Sequence, residues 1–355
     1  MSLSFRRGVH TRKFALALPG QGIVRSGFLA PYKKYQHHFQ QHLEIVDEAL
    51  GEKFSENLFN ESESFSRQWL LKTSNAQPAI LTTTYAILEI IKRELYIDLA
   101  ARASFLLGHS LGEYTALAVA GIIDLPTAVR LVRKRALLME EVVASEREKN
   151  IAKHTDSISD KDSISDNDSI SDGYGMLALM IRPTSFDTVI VRARQKGILA
   201  NVNSRQQIVV SGQLQLLQSF VAEINSDTKL VLRAVKLPVE IPFHNELLQP
   251  VVQPLRDEIY SHKVREQRVP IISNLTGKPS YDHHGTIANT LEANYRPVQW
   301  VDSLEYLVGA GVSTVVNVGP GEVLQGLNSK FAVDNISVDM PESFEKVREF
   351  FSIQE

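Results

Sequence analysis

The chain has 355 residues, 43% of them apolar, enough for one large domain or two unequal ones with a buried core. No apolar run approaches the roughly 18 residues needed to cross a bilayer, which argues against a membrane-spanning helix. The absence of cysteine rules out disulfides, thiolate metal sites and a cysteine nucleophile, and leaves ten histidines as the bases that titrate near neutral pH.

The formal net charge of −3 is unevenly spread. No acidic residue precedes Glu44, whereas Arg6, Arg7, Arg12, Lys13, Arg25, Lys33 and Lys34 are basic. An acid-free start carrying Ser2, Ser4, Phe5, Arg6 and Arg7 has the composition of a mitochondrial presequence, expected over residues 1–13 and implying a matrix location. A first strand is expected from Phe14 in "FALAL", ending in the loop "LPGQG"; "SFLLG" is a second strand, followed at once by the helical "EYTALAVA". "PTAVRLVRKRALLMEEVVA" reads as a long amphipathic helix, and a large α/β domain is expected to occupy residues 14–144 up to this point.

Residues 145–173 change character. The hexad DSISD(K/N/G) occurs three times from Asp156, and Glu146 to Asp172 hold eight acidic against four basic residues. Such a tract cannot bury enough apolar surface to offset its ordering and is expected to be a disordered insertion. Over residues 174–240, "GMLALMI", "SFDTVIVRARQKG", "ILANVNS", "QQIVVSG", "QLQLLQSFVAEINS" and "LVLRAVKL" read β-α-β-β-α-β, a ferredoxin-like subdomain. Residues 241–355 return to the large domain with "VPIISN" and "VSTVVNVGPG", short apolar strands ending in polar or glycine turns. The whole is an α/β protein with a largely parallel sheet and its chemistry at the carboxyl ends of the strands.

Gly108-His109-Ser110-Leu111-Gly112 stands between a strand and a helix, the context a nucleophile elbow needs. The serine adopts a strained turn there, and flanking glycines let neighbouring backbones pass. The Leu111 N–H, at the start of the helix, is one candidate oxyanion donor, and the Gln21 N–H in "PGQG" is the other. Arg135 falls within the apolar stripe of Leu131, Val132, Leu138, Met139, Val142 and Val143, while Arg130, Arg133 and Lys134 fall outside it. An inward guanidinium needs an anion, either a buried carboxylate of the protein or a carboxylate on a substrate. Of the histidines, His37, His38, His42, His154, His262, His283 and His284 lie in polar or turn-like segments, and His109 faces away from the elbow. His244 in "PFHN" stands where the chain leaves the small subdomain, placed to reach Ser110 as base in a Ser-His dyad.

"PGQG", "GHSLGEYTAL", "VRLVRKRALLME", "NVNSRQQIVVSG", "PFHN", "NYRPVQW" and "VGPGEVLQGL" occur in an order, over about 300 residues, that resembles the malonyl-CoA:acyl-carrier-protein transacylase family. The resemblance implies a hydrolase-like large domain with a ferredoxin-like small one. It implies Ser110 as nucleophile, His244 as base, and Gln21 and Leu111 as oxyanion donors. Arg135 becomes the clamp on the malonyl carboxylate, with Gln21, Met139, Asn203, Gln207 and Phe243 as further substrate contacts. Phe243 beside the base implies malonyl over methylmalonyl, since its ring leaves no room for an α-methyl group. Ala293 stands where the family often has a glutamine whose backbone carbonyl orients the histidine. Malonyl-CoA is then the donor and the phosphopantetheine thiol of an acidic acyl carrier protein the acceptor, in type II fatty-acid synthesis. No cofactor, metal or nucleic acid is expected, and the protein is expected to be monomeric. Lys33, Lys34, Arg133, Lys134 and Arg233 are candidates for docking the carrier. The competing readings are a serine thioesterase or esterase on the same elbow, and a non-enzymatic carrier-docking subunit.

Overall fold

The computed structural model describes residues 12–22, 25–157 and 173–352. Among these residues ten strands form two sheets: β1 Phe14–Leu18, β2 Phe105–Gly108, β3 Tyr174–Ile181, β4 Leu199–Ser204, β5 Gln207–Gln213, β6 Val231–Lys236, β7 Ile271–Ile272, β8 Pro279–Ser280, β9 Thr314–Val318 and β10 Asp334–Val338. The larger sheet has the order β10-β9-β1-β2-β7-β8, parallel throughout except for the β7–β8 pair. The four apolar runs expected as strands, "FALAL", "SFLLG", "VPIIS" and "VSTVVNV", supply its central members. The β8 and β10 edges were not anticipated.

Along β1 the period-2 alternation of a strand divides the core. Phe14, Leu16 and Leu18 join the cluster on one face, and Ala15 and Ala17 join Trp300, Leu304 and Leu307 on the other. Both faces are covered by helices, as a parallel sheet requires. The register places Leu18 opposite Gly108, so the turns after β1 and β2 emerge side by side.

The smaller sheet has the order β4-β5-β3-β6, fully antiparallel, with helices Phe186–Gln195 and Leu214–Ile224 between its strands. This is the expected βαββαβ arrangement. Leu177, Leu179 and Ile181 of β3 pack beneath its two helices, while Met176 and Ala178 face the large domain. A parallel bridge between Asn201 and Val298 hooks the two parts together, with Val202 N–H donating to Val298 O at 2.8 Å and Val298 N–H to Ala200 O at 2.9 Å.

The helix carrying Arg135 corrects one expected boundary. It runs over Leu125–Ser157, well past the position where a disordered insertion was expected to start. Residues 145–152 are rich in Glu, Arg, Lys and Ala, all strong helix formers, and Lys149 pairs with Glu146 one turn away. The rest of the acidic repeat, 158–172, and residues 1–11 of the expected presequence lie outside the described residues.

Candidate active site

Ser110 caps helix Leu111–Val119 with φ 53° and ψ −107°. Among the described residues only Tyr96, Ser110 and His244 are non-glycine with positive φ, so two of the three such backbones meet in this site. The flanking glycines are a matter of space. A Cβ on Gly108 would lie 1.9 Å from the Gly112 carbonyl carbon, and one on Gly112 would lie 2.1 Å from Leu18 O.

His244 Nε2 lies 2.8 Å from Ser110 Oγ, while Nδ1 lies 2.7 Å from Ala293 O and 3.2 Å from Arg296 O. Carbonyl oxygens only accept, so Nδ1 carries the proton and Nε2 presents its lone pair to the serine hydroxyl. The base is thus oriented by main-chain acceptors, with no carboxylate in the dyad. Burial, and after it the positive charge of Arg135, push His244 down to about 3, which keeps the imidazole neutral near pH 7.

The turn's amides are divided between structure and chemistry. Ser110 N–H donates to Asn274 Oδ1 at 2.7 Å and Gly112 N–H to His109 O at 2.9 Å. Among the described residues the N–H groups of Leu111 and Gln21 have no protein acceptor, as oxyanion donors require. Gln21 sits in the turn after β1, its side-chain oxygen accepting from Gln77 Nε2 at 3.5 Å.

Arg135 is buried, 2% exposed, and lines the same cleft as Ser110 and His244. Its Nε donates to Asn294 Oδ1 at 2.7 Å, and its guanidinium lies 5.0 Å from the Tyr114 ring centre. Among the described residues no carboxylate forms a salt bridge with it. The nearby Glu113 is pushed by burial up to about 8 and accepts instead from Asn274 N–H at 3.1 Å. Of the two anions that could answer an inward arginine, the protein's own carboxylate is therefore not supplied.

Asn203, Gln207 and Phe243 also line the cleft. Asn203 Oδ1 lies 3.0 Å from His109 Nε2, and the His109 ring packs edge-on to Trp300 at 5.2 Å. Met139 does not line the cleft. It is fully buried one helical turn beyond Arg135, where the same apolar stripe has passed into the core. Sequence reasoning missed Asn274, Glu113, Asn294, Tyr114 and Gln77. Of the basic docking candidates, Arg133 is paired with Glu52 and Lys134 with Glu258, while Lys33, Lys34 and Arg233 are exposed. Among the described residues, His37, His38 and Glu94 form the one group close enough to hold a metal ion, their ligand atoms within 4.8 Å, and none lines the cleft. No helix among the described residues is long and apolar enough to cross a membrane.

A serine on a strained elbow, a neutral histidine aimed at its hydroxyl, two free amides and an arginine awaiting an anion define an acyl-transfer enzyme of the α/β Ser-His class. A Bacillus subtilis protein, malonyl CoA-acyl carrier protein transacylase, is 31% identical over 342 residues, 94% of this chain and 95% of that one. The chain belongs to the malonyl CoA-acyl carrier protein transacylase family. No family model matches it. The crystal structure of acyl-carrier-protein-S-malonyltransferase from Bartonella henselae superposes with TM-score 0.77 at 26% identity, covering 96% of this chain and 99% of that one. A malonyl-transacylase in complex with its type II PKS acyl-carrier protein superposes with TM-score 0.78 at 25% identity, covering 95% and 99%.

Proposed function

We propose that the chain transfers malonyl from malonyl-CoA to the phosphopantetheine thiol of acyl carrier protein through a malonyl ester on Ser110, supplying fatty-acid synthesis. The observation that carries the acyl specificity is Arg135, a buried guanidinium in the cleft that holds Ser110 and His244, with no salt-bridged carboxylate among the described residues.

His244 Nε2 takes the Ser110 proton as Oγ attacks the thioester carbonyl carbon. The Leu111 and Gln21 amides hold the oxyanion. The C–S bond breaks, His244 returns the proton to the departing thiolate, and CoA leaves. The carrier thiol then gives its proton to His244 and attacks the ester, and Ser110 Oγ is released with the proton restored. Arg135 meets the malonyl carboxylate bidentately, Asn203 and Gln207 line the acyl passage, and Phe243 closes the space an α-methyl group would need.

Intact-protein mass measured after brief mixing with malonyl-CoA, then after addition of a phosphopantetheinylated carrier, tests this. A malonyl adduct on Ser110 that moves to the carrier is the expected result. An adduct lost only to water indicates a thioesterase instead, and no adduct at all indicates a docking subunit.

The mitochondrial reading is proposed from the basic, acid-free N-terminal composition, with residues 1–13 as presequence. Residues 1–25 fused to a fluorescent protein should direct it to mitochondria; diffuse cytosolic signal rejects the reading. A monomer is proposed, checked by light scattering. Carrier docking is assigned to exposed cations such as Lys33, Lys34 and Arg233. The transfer rate should fall as salt rises, and salt-independent transfer would count against electrostatic docking.

A further inference from the structure

The turn that ends helix His283–Glu292 touches both functional side chains through adjacent residues. Ala293 supplies the carbonyl that accepts from His244 Nδ1 at 2.7 Å, and Asn294 supplies the Oδ1 that accepts from Arg135 Nε at 2.7 Å. The turn is itself fixed: Ala293 N–H donates to Asn289 O at 2.9 Å and Tyr295 N–H to Glu292 O at 3.2 Å.

The orientation of the Asn294 amide is dictated by its partners. Its nitrogen donates to Leu291 O at 2.8 Å and to Tyr114 Oη at 2.7 Å. A carbonyl can only accept and a guanidinium can only donate, so reversing the amide would set donor against donor and acceptor against acceptor. Asn294 is 1% exposed and so shielded from bulk solvent. Arg135 is therefore gripped at Nε by Asn294 and faced by the Tyr114 ring 5.0 Å away. That grip fixes the Nε edge, so that a carboxylate in the cleft meets the terminal-nitrogen end of a guanidinium that Tyr114 also holds.

We propose that Asn294 is a positioning and specificity-determining residue that aims the Arg135 fork, and that the Ala293–Asn294 step sets the anion clamp and the base at one fixed separation. It rests on the reading of Arg135 as the clamp for the acyl carboxylate. An acyl group long enough to reach the fork is thereby held with its thioester carbonyl at Ser110, while a neutral acyl group gains nothing from Asn294.

The test uses the full chain and compares Ser110 acylation by malonyl-CoA and by acetyl-CoA, with kcat and KM separated, in the parent and in Arg135→Ala, Asn294→Ala and Asn294→Asp. Asn294→Ala should lower the malonyl-to-acetyl ratio of kcat/KM by about tenfold, the size of one lost charge-assisted hydrogen bond, mostly through a higher KM for malonyl-CoA. Asn294→Asp, equal in shape but acceptor-only against Leu291 O, should lower the ratio further because its carboxylate competes for the guanidinium, and all rates are normalised to the folded fraction of each variant read by circular dichroism. If both Asn294 variants keep the parent ratio while Arg135→Ala loses it, the role of Asn294 is wrong and the clamp stands. A uniform fall for both acyl groups in Asn294→Asp also overturns it, as mere support of the fold. If Arg135→Ala itself keeps the parent ratio, the clamp reading fails.

Discussion

Asn274 should be as necessary to Ser110 as its flanking glycines. It follows β7, beside β2 in the sheet, and its amide spans the elbow: Oδ1 accepts from Ser110 N–H at 2.7 Å and Nδ2 donates to Gly108 O. Its own N–H is held by Glu113 Oε1 at 3.1 Å. Asn274→Ala removes both bonds across a turn whose central residue has φ 53°. Two hydrogen bonds at about 1 kcal/mol each, with a buried donor and acceptor left without partners, amount to roughly 2–4 kcal/mol of stability. The elbow conformation itself costs about 1–3 kcal/mol, so the turn should relax. A displacement of Oγ by about 1 Å would slow acylation about a hundredfold. Urea unfolding reads the first effect and single-turnover acylation the second, normalised to folded protein. Parent-rate acylation in Asn274→Ala would show that the elbow holds its shape unaided, and would refute the role given to Asn274.

His244, held near 3 by burial and by Arg135, should stay deprotonated well below the pH at which an ordinary imidazole charges. Acylation by acetyl-CoA should therefore lack an acid limb near pH 6.5, and Arg135→Ala, by removing the larger of the charge effects, should move its limb upward; an acid limb near 6.5 in the parent would contradict this. Phe243→Ser opens the space beside the base and should raise methylmalonyl relative to malonyl transfer by roughly tenfold or more, the value of one methyl group in a tight pocket. Unchanged selectivity in competition assays would remove Phe243 from the specificity account. Glu113, pushed up to about 8, binds a proton in the folded state that the unfolded chain releases near pH 4.5, so stability falls as pH rises across that interval. Glu113→Gln, neutral and of the same shape, should lack this loss, and its advantage over the parent should grow from pH 4.5 to 8; parallel unfolding curves at every pH would place Glu113 among ordinary carboxylates.

What was legible in the sequence was what is anomalous locally. Gly108 and Gly112 bracket a serine between a strand and a helix, and Arg135 interrupts an apolar stripe, so each stands out within a dozen residues. The central strands were legible for the same reason, as apolar runs cut off by turns. β8, two residues long, and β10, with its polar "DNIS", carry too little pattern to register. Met139 was legible as buried and no further, because periodicity identifies the buried face of a helix but not the point along it where cleft gives way to core. The helix end was misjudged because charge was read as disorder where Glu, Arg, Lys and Ala favour helix. Asn274, Glu113 and Asn294 were missed because an amide or a carboxyl in a motif has no distinguishing neighbour. Their partners lie 161 to 180 positions away for the Glu113–Asn274 and Tyr114–Asn294 contacts, a relation only the fold creates.

Those distant contacts share an electrostatic consequence. The cleft contains a buried cation, a histidine whose charging it opposes, and a neighbouring Glu113 that burial holds largely neutral near pH 7. With the fork unoccupied, forming an imidazolium at His244 places a second positive charge near Arg135. A malonyl carboxylate on that fork offsets the first charge and so makes His244 more basic when proton transfer is required. A neutral acyl group occupies the same serine without that compensation. On the proposed reading of Arg135 as the acyl-carboxylate clamp, selection of the acyl group and readiness of the base become one property of the Arg135 charge, and a protein carboxylate in permanent contact with Arg135 would abolish the difference between the two kinds of substrate.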